Sequence, residues 1–247
     1  MPSNLNYGII GNCRSAALIS ENGSIVWCCL PDFDSPSIFA KILDNDKGGE
    51  FGFVVGEDYE ISQEYFRRTN IICTRFESAS GAFEVIDFMP RYKTSDNNYF
   101  APSEIYRYIR LISGKPTFKV RYSPALNYAQ DETAHVVEGC RMRSYSKRNH
   151  NDCIYLHSSI PFEDIVASKD IVLTKSEFFL VSYNQKLIEI DHDRVYLEYQ
   201  RTKVYWLNWT NRTKKYENYT EEIIRSILVL KIMSFEPTGA ILAAITT

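Results

Sequence analysis

Two carboxylates with an aromatic between them, Asp32 and Asp34 around Phe33, stand in the proline-bounded run Pro31-Asp32-Phe33-Asp34-Ser35-Pro36. On an extended segment, side chains at i and i+2 share a face, so both carboxylates could front one site and divide general acid and general base work. Arg14, Trp27 and Phe39 belong to the same stretch. With Phe33 they offer what the rim of a sugar pocket uses, aromatic faces that stack on pyranose rings and a guanidinium that forks across hydroxyls. Plainer readings outweigh these. Asp beside Pro is turn chemistry, because short acidic side chains capture nearby backbone donors, and aromatics of this kind fill sandwich cores or dock against a neighbouring domain.

Other candidates fare no better as catalysts. Asp87 in Ile86-Asp87-Phe88-Met89-Pro90 reads as an ion-pair partner for a basic residue across a sheet. Arg141, Arg143, Lys147 and Arg148 read as a solvated hairpin edge that discourages sheet-to-sheet association. His150, His157 and His192 have no partner at ligand spacing. Six scattered cysteines, two of them adjacent at Cys28 and Cys29 and so pointing to opposite faces, read as free thiols. None has the spacing of a zinc site, and neither metal nor cofactor is expected.

Positioning these side chains falls to short strands. Apolar residues 16–19 and 25–28 flank Asn22-Gly23, the dipeptide that best tolerates positive φ at both centres of a tight type I′ turn, and predict a hairpin. Period-two alternation recurs over 105–112 and 118–122, with Gly114-Lys115-Pro116 read as the turn of a second hairpin. Residues 71–77 and 83–88, joined through Ser80-Gly81, form a further pair, and 154–157, 171–174 and 178–183 complete the set. Many strands with short connections predict a mainly β chain folded as a two-sheet antiparallel sandwich. From Asp191, an N-cap, the period turns helical through Trp206. Asn218 with Glu221 reads as the cap of a second helix that carries Ile223, Ile224, Ile227, Leu228 and Phe235 and stops at Pro237 and Gly239.

Composition limits the partners. A length of 247 residues with 45% apolar and 14% aromatic residues supports a substantial core. A net charge of −3 from 28 basic and 31 acidic residues sets up no field for nucleic acid or an anionic membrane. Glu221, Glu222, Arg225, Lys231 and Glu236 interrupt the most apolar segment, which falls short of the roughly 20 apolar residues of a membrane span. The start, MPSNLNYG, lacks a basic region followed by an apolar run, so a cytoplasmic location is expected. The N-x-S/T sequons at Asn22, Asn208, Asn211 and Asn218 are then read as chance.

Residues 7–40, YGIIGNCRSAALISENGSIVWCCLPDFDSPSIFA, resemble the opening of the N-terminal domain of bacterial and archaeal glycoside hydrolases of family fifteen, the glucoamylase, glucodextranase and trehalase-like group. RRTNIICTRFES at 67–78, VIDFMPRY at 85–92 and, more weakly, VRYSPALNYA at 120–129 resemble further signatures of that domain, in the same order. TKVYWLNW at 202–209 resembles its linker helix, and EIIRSILVLKIMSFEPTGAILAAITT at 222–247 resembles the first helix and turn of its (α/α)6 catalytic barrel. The resemblance implies a β-supersandwich over 1–188, a linker helix over 189–215 and the beginning of a truncated barrel over 216–247.

It also implies inverting hydrolysis of α-linked glucosides, glucoamylase-like or acting on trehalose, by two glutamates on later barrel helices that match nothing here. No catalytic residue is therefore assigned, and the fragment alone is expected to be inactive. Arg14, Trp27, Asp32, Phe33, Asp34 and Phe39 are expected near the substrate or at the interface with the catalytic domain. The expected partner is an oligosaccharide or disaccharide met through that domain, with homo-oligomerisation left open. The alternative is a free-standing, non-catalytic carbohydrate-binding or interaction sandwich.

Overall fold

The computed structural model describes residues 6–188, 190–214 and 217–245. The strands are β1 (Tyr7–Gly11), β2 (Ala16–Ser20), β3 (Ile25–Cys29), β4 (Ser37–Phe39), β5 (Glu50–Val54), β6 (Glu60–Tyr65), β7 (Ile72–Ser78), β8 (Gly81–Phe88) and β9 (Tyr92–Lys93). They continue as β10 (Tyr99–Phe100), β11 (Glu104–Gly114), β12 (Thr117–Ser123), β13 (Thr133–Glu138), β14 (Arg141–Ser146) and β15 (Cys153–Ser158). A short helix, α1 (Phe162–Val166), precedes β16 (Ile171–Val172) and β17 (Glu177–Tyr183), and the helices α2 (His192–Thr210) and α3 (Thr220–Ile232) follow. One sheet runs β1-β2-β3-β5-β12-β16 with β4 beside β3; the other, of eight strands, runs β13-β14-β15-β17-β11-β8-β7-β6. The chain is mainly β, two large antiparallel sheets followed by helices.

Three layers result. Alternate residues of the eight-stranded sheet face opposite ways. Phe83 and Val85 of β8 and Phe179 and Val181 of β17 enter the core between the sheets. Ile86 and Phe88 of β8 and Phe178 and Leu180 of β17 meet Val195, Tyr199 and Trp206 of α2 and Ile224, Leu228 and Ile232 of α3. Covered on both faces, β8 is buried along its whole length, as a strand in the middle of three layers must be.

One ion pair ties the layers together. Asp87 and Arg107 are directly opposed on β8 and β11, both fully buried, with Nε 2.8 Å from Oδ1 and Nη2 3.1 Å from Oδ2. The same guanidinium donates to the carbonyls of Phe51 on β5 and Gly23 in the first hairpin, both in the other sheet. It lies over the rings of Phe51 and Phe53 at 4.8 and 4.9 Å.

Several local expectations are corrected. The β2–β3 hairpin forms, but not through a type I′ turn: Gly23 N donates to Ser20 O, Gly23 alone has positive φ (+74°), and the register slips at Leu18 and Ile19. This is the turn-plus-bulge alternative, which needs one left-handed residue where the tight turn needs two. Gly114-Lys115-Pro116 joins no hairpin. Both edges of β11 are taken by β8 and β17, so the chain crosses to the other sheet, where β12 pairs with β5 and β16. Strand β14 is not an edge; β13 covers it, and Lys147 and Arg148 pair with Glu132 and Asp131. Helix α3 starts at Thr220 after a left-handed Tyr219 and has no side-chain cap, so Asn218 does not cap it, and it stops at Ile232, before Pro237. Asp191 does cap α2, accepting from Arg194 N at 2.8 Å.

Candidate functional site

The β1–β2 connection, residues 12–15, begins the site. Asn12 is fully buried and its Oδ1 accepts from the backbone N–H of Arg14 and Ser15 at 3.1 and 3.2 Å, while its Nδ2 donates to Pro102 O. That turn aims Arg14 at the loop after β3, where both Nε (3.0 Å) and Nη2 (2.8 Å) contact Asp32 Oδ1. Ser35 closes the Asp32 turn through its Oγ, which accepts from Asp32 N. Phe33 points inward, edge-on to Phe235 at 6.2 Å, and Asp34 is exposed. Arg14, Asp32, Phe33 and Asp34 thus gather beside the segment that follows α3. Trp27 is buried a little apart, donating through Nε1 to Ile245 O at 2.7 Å. Phe39 joins none of them: it packs in the sandwich core on Phe51 and Tyr122 with no exposed surface. Asp32 is held by the Arg14 guanidinium, and Asp34 is exposed beside it.

A neighbouring cluster, which the sequence reading left unassigned, is more tightly built. Arg91 follows Pro90 in the VIDFMPRY run and is fully buried. Its Nη1 donates to Asn12 O (2.7 Å), its Nε to the Tyr205 hydroxyl (2.9 Å), and Glu236 stands 3.6 Å away. Its Cζ lies over the Tyr99 ring, 4.3 Å from the centroid. Burial pushes the Cys13 thiol up despite the nearby Arg91 and Lys231. Next along the chain, the Tyr92 hydroxyl donates to Glu198 Oε1 on α2 (3.0 Å), which Arg201 also approaches (3.4 Å). Burial raises both Glu198 and Glu104, the latter to about 6 although Tyr106 donates to it at 2.9 Å. The RRTN run does similar service for α3. Arg67 pairs with Glu221 at 2.6 Å, Asn70 Nδ2 donates to Leu228 O, and Thr69 O accepts from Arg225.

These clusters hold helices and loops to the sandwich. The only readable signal for Arg91 was its place in a motif; a buried arginine after proline looks like any surface arginine in sequence. Between the β9–β10 hairpin and α2 a groove of about 790 Å³ opens beside this cluster, lined by Tyr92, Tyr99, Arg201, Tyr205 and Trp209 among others. Among the described residues no three His, Cys, Asp or Glu side chains converge to hold a metal ion, and no helix is long and apolar enough to cross a membrane.

Comparison with known proteins agrees with this picture. The family described as "Trehalase-like, N-terminal" matches residues 5–158. A trehalase of Thermoplasma volcanium is 29% identical over 248 residues, covering 97% of this chain and 39% of the relative. Trehalase 1 of Sulfolobus acidocaldarius is 48% identical over 84 residues, 34% of this chain and 14% of the relative. A trehalase of Mycolicibacterium smegmatis is 25% identical over 272 residues, 100% and 40% respectively. No solved structure matches. The chain spans about two fifths of the length of the relatives that match it along its whole length. With the family matched over more than half of its residues, the chain belongs to the trehalase-like N-terminal domain family.

Proposed function

We propose that this chain is the sandwich and linker portion of an inverting glycoside hydrolase of family fifteen, and that the substrate is trehalose rather than a maltooligosaccharide. The observation that carries this reading is the match of 97% of the chain, at 29% identity, to 39% of the length of a trehalase. In an inverting enzyme one carboxylic acid protonates the leaving oxygen and a second activates water, the two about 6.5–9.5 Å apart. That pair is assigned to the part of such a protein that this chain does not match. Here the Arg14–Asp32 loop, the Arg91 cluster and α3 brace the catalytic domain, with the Asp34 side of the loop facing it.

The test is to express the complete coding sequence and, separately, residues 1–247, and to measure glucose release from trehalose, maltose and isomaltose. The complete protein should cleave trehalose, yielding one α- and one β-glucose by NMR, and residues 1–247 should release none. Turnover by the 247-residue chain, or a complete protein that cleaves maltose and leaves trehalose intact, overturns the reading.

A further inference from the structure

The groove between the β9–β10 hairpin and α2 is made from two rows of one helix and one wall of the hairpin. Gln200, Val204 and Asn208 recur every four residues along α2, Arg201, Tyr205 and Trp209 form the adjacent row, so both rows share one side of the helix, and Arg212 follows in the turn just past its end. Tyr92, Lys93 and Tyr99 stand opposite. The groove's volume, about 790 Å³, lies in the range that encloses a small ligand.

Its charge is one-sided. Three cations line it, Lys93, Arg201 and Arg212, and no carboxylate does. A fourth, Arg91, lies beneath the floor, under Tyr99 and Tyr205 at 4.3 and 5.3 Å, with its buried Nη2 unpartnered. The nearby acids are engaged, Glu198 by Arg201 and Glu236 by Arg91. Lys93 donates to an amide oxygen, Asn97 Oδ1 at 2.8 Å, and lies over the Tyr99 ring at 5.3 Å, and Arg212 is exposed; neither has a carboxylate partner among the described residues. Arg201 and Arg91 are thus compensated, and the two cations left at the groove without a carboxylate partner, Lys93 and Arg212, raise the local concentration of anions.

Ring faces supply the other half. Trp209 offers a ring surface beside Tyr99 and Tyr205, which lie over Arg91, whereas Tyr92 is already stacked on Phe100 and covered by Arg201; Gln200 and Asn208 offer paired donors and acceptors. A neutral sugar would find ring faces and donors here but would leave the charge of Lys93 and Arg212 unmatched. A phosphate would be well served, because a guanidinium presents two parallel N–H groups to two phosphate oxygens.

We infer that this groove binds a phosphate monoester carried on a ring, either a sugar phosphate or a nucleoside monophosphate, with Arg212 and Lys93 on the phosphate and Trp209 and Tyr99 against the ring. The inference does not depend on the hydrolase reading. It concerns binding, and no bond is made or broken.

The complete protein is titrated with glucose 6-phosphate, AMP, glucose and inorganic phosphate, following tryptophan fluorescence and heat. Saturable binding of glucose 6-phosphate or AMP is expected, and which of the two saturates first identifies the source of the phosphate. Glucose should not bind, and inorganic phosphate should bind at least about tenfold more weakly than the better ester for want of the ring contact. Arg212→Gln, at an exposed position, should lower affinity for the ester by about tenfold or more through loss of a charge-assisted bond, with the thermal midpoint unchanged. Trp209→Leu should lower affinity for the ester and leave that for inorganic phosphate unchanged. No saturable ester binding, equal affinity for ester and inorganic phosphate, or an Arg212→Gln protein that binds normally each overturns the inference.

Discussion

The Asp87–Arg107 pair is the sharpest test of how the two sheets are joined. Removing one member of a buried ion pair leaves the other uncompensated and typically costs about 3–5 kcal/mol. The two members should not cost the same. After Asp87→Ala the guanidinium keeps the Phe51 and Gly23 carbonyls as acceptors, which places the loss near the lower end, about 3 kcal/mol. Arg107→Met strands a carboxylate with no exposed surface and takes the same donor from both carbonyls, each worth about 1–3 kcal/mol if left unsatisfied. Its loss should reach about 5 kcal/mol or more, and should shrink in acid as Asp87 takes up a proton. Asp87→Ala combined with Arg107→Met removes both charges and should recover part of this, leaving a deficit of about 2 kcal/mol from the carbonyls. Urea unfolding followed by circular dichroism gives all four stabilities and hence the coupling. If Asp87→Ala costs under about 1 kcal/mol, or the single losses simply add in the double variant, the pair does not hold the sheets together.

Three further outcomes are expected. Glu104, held near 6 by burial against an ordinary value near 4.5, binds its proton about 2 kcal/mol more tightly in the fold. That contribution is fully present below the unfolded value and lost as pH rises through about 6. Glu104→Gln should therefore gain up to about 2 kcal/mol at pH 8 and nothing at about pH 4, and a difference that does not change with pH refutes the burial argument. A Cβ on Gly11 would lie 2.5 Å from Ile232 Cγ2 and 2.8 Å from Ser15 O, so Gly11→Ala should destabilise by about 1–3 kcal/mol in a melting experiment, and an unchanged midpoint would show that α3 does not press on β1. Trp206→Ala, at a fully buried position, should cost about 3–5 kcal/mol and open α2 to limited proteolysis; protection equal to the parent chain's speaks against α2 being packed through this ring.

The parts of the fold that are legible in the sequence are those set by local chemistry. The Asp191 cap, the β7–β8 pair across Ser80-Gly81 and the period of β11 depend on neighbours a few residues away, and each is found where the residues place it. Pairing partners are another matter. Alternation in 105–112 and 118–122 says that both are strands, but only the occupied edges of β11 send β12 to the other sheet. Burial of charge is hidden for the same reason. Arg91 and Glu104 look like surface residues until α2 packs on the sandwich, as does Glu198 on α2 itself, and their partners lie at Tyr205, Tyr106 and Tyr92. The Asp32–Asp34 motif drew notice by composition, yet its geometry is set by Arg14, eighteen positions earlier.

The covering of β1 and β2 by residues 232–245 bears on how the protein is made. Glu236 N donates to Cys13 O at 2.8 Å, Trp27 reaches Ile245 O, and Ile232 sits over Gly11. A ribosome adding about 5–20 residues per second takes roughly ten to fifty seconds to travel from the first of these partners to the last. Throughout that interval Ile9, Cys13, Ala16 and Phe33 lack the roof they have in the finished fold. The apolar surface of β1 and β2 therefore gains its cover only once residue 245 has emerged from the ribosome.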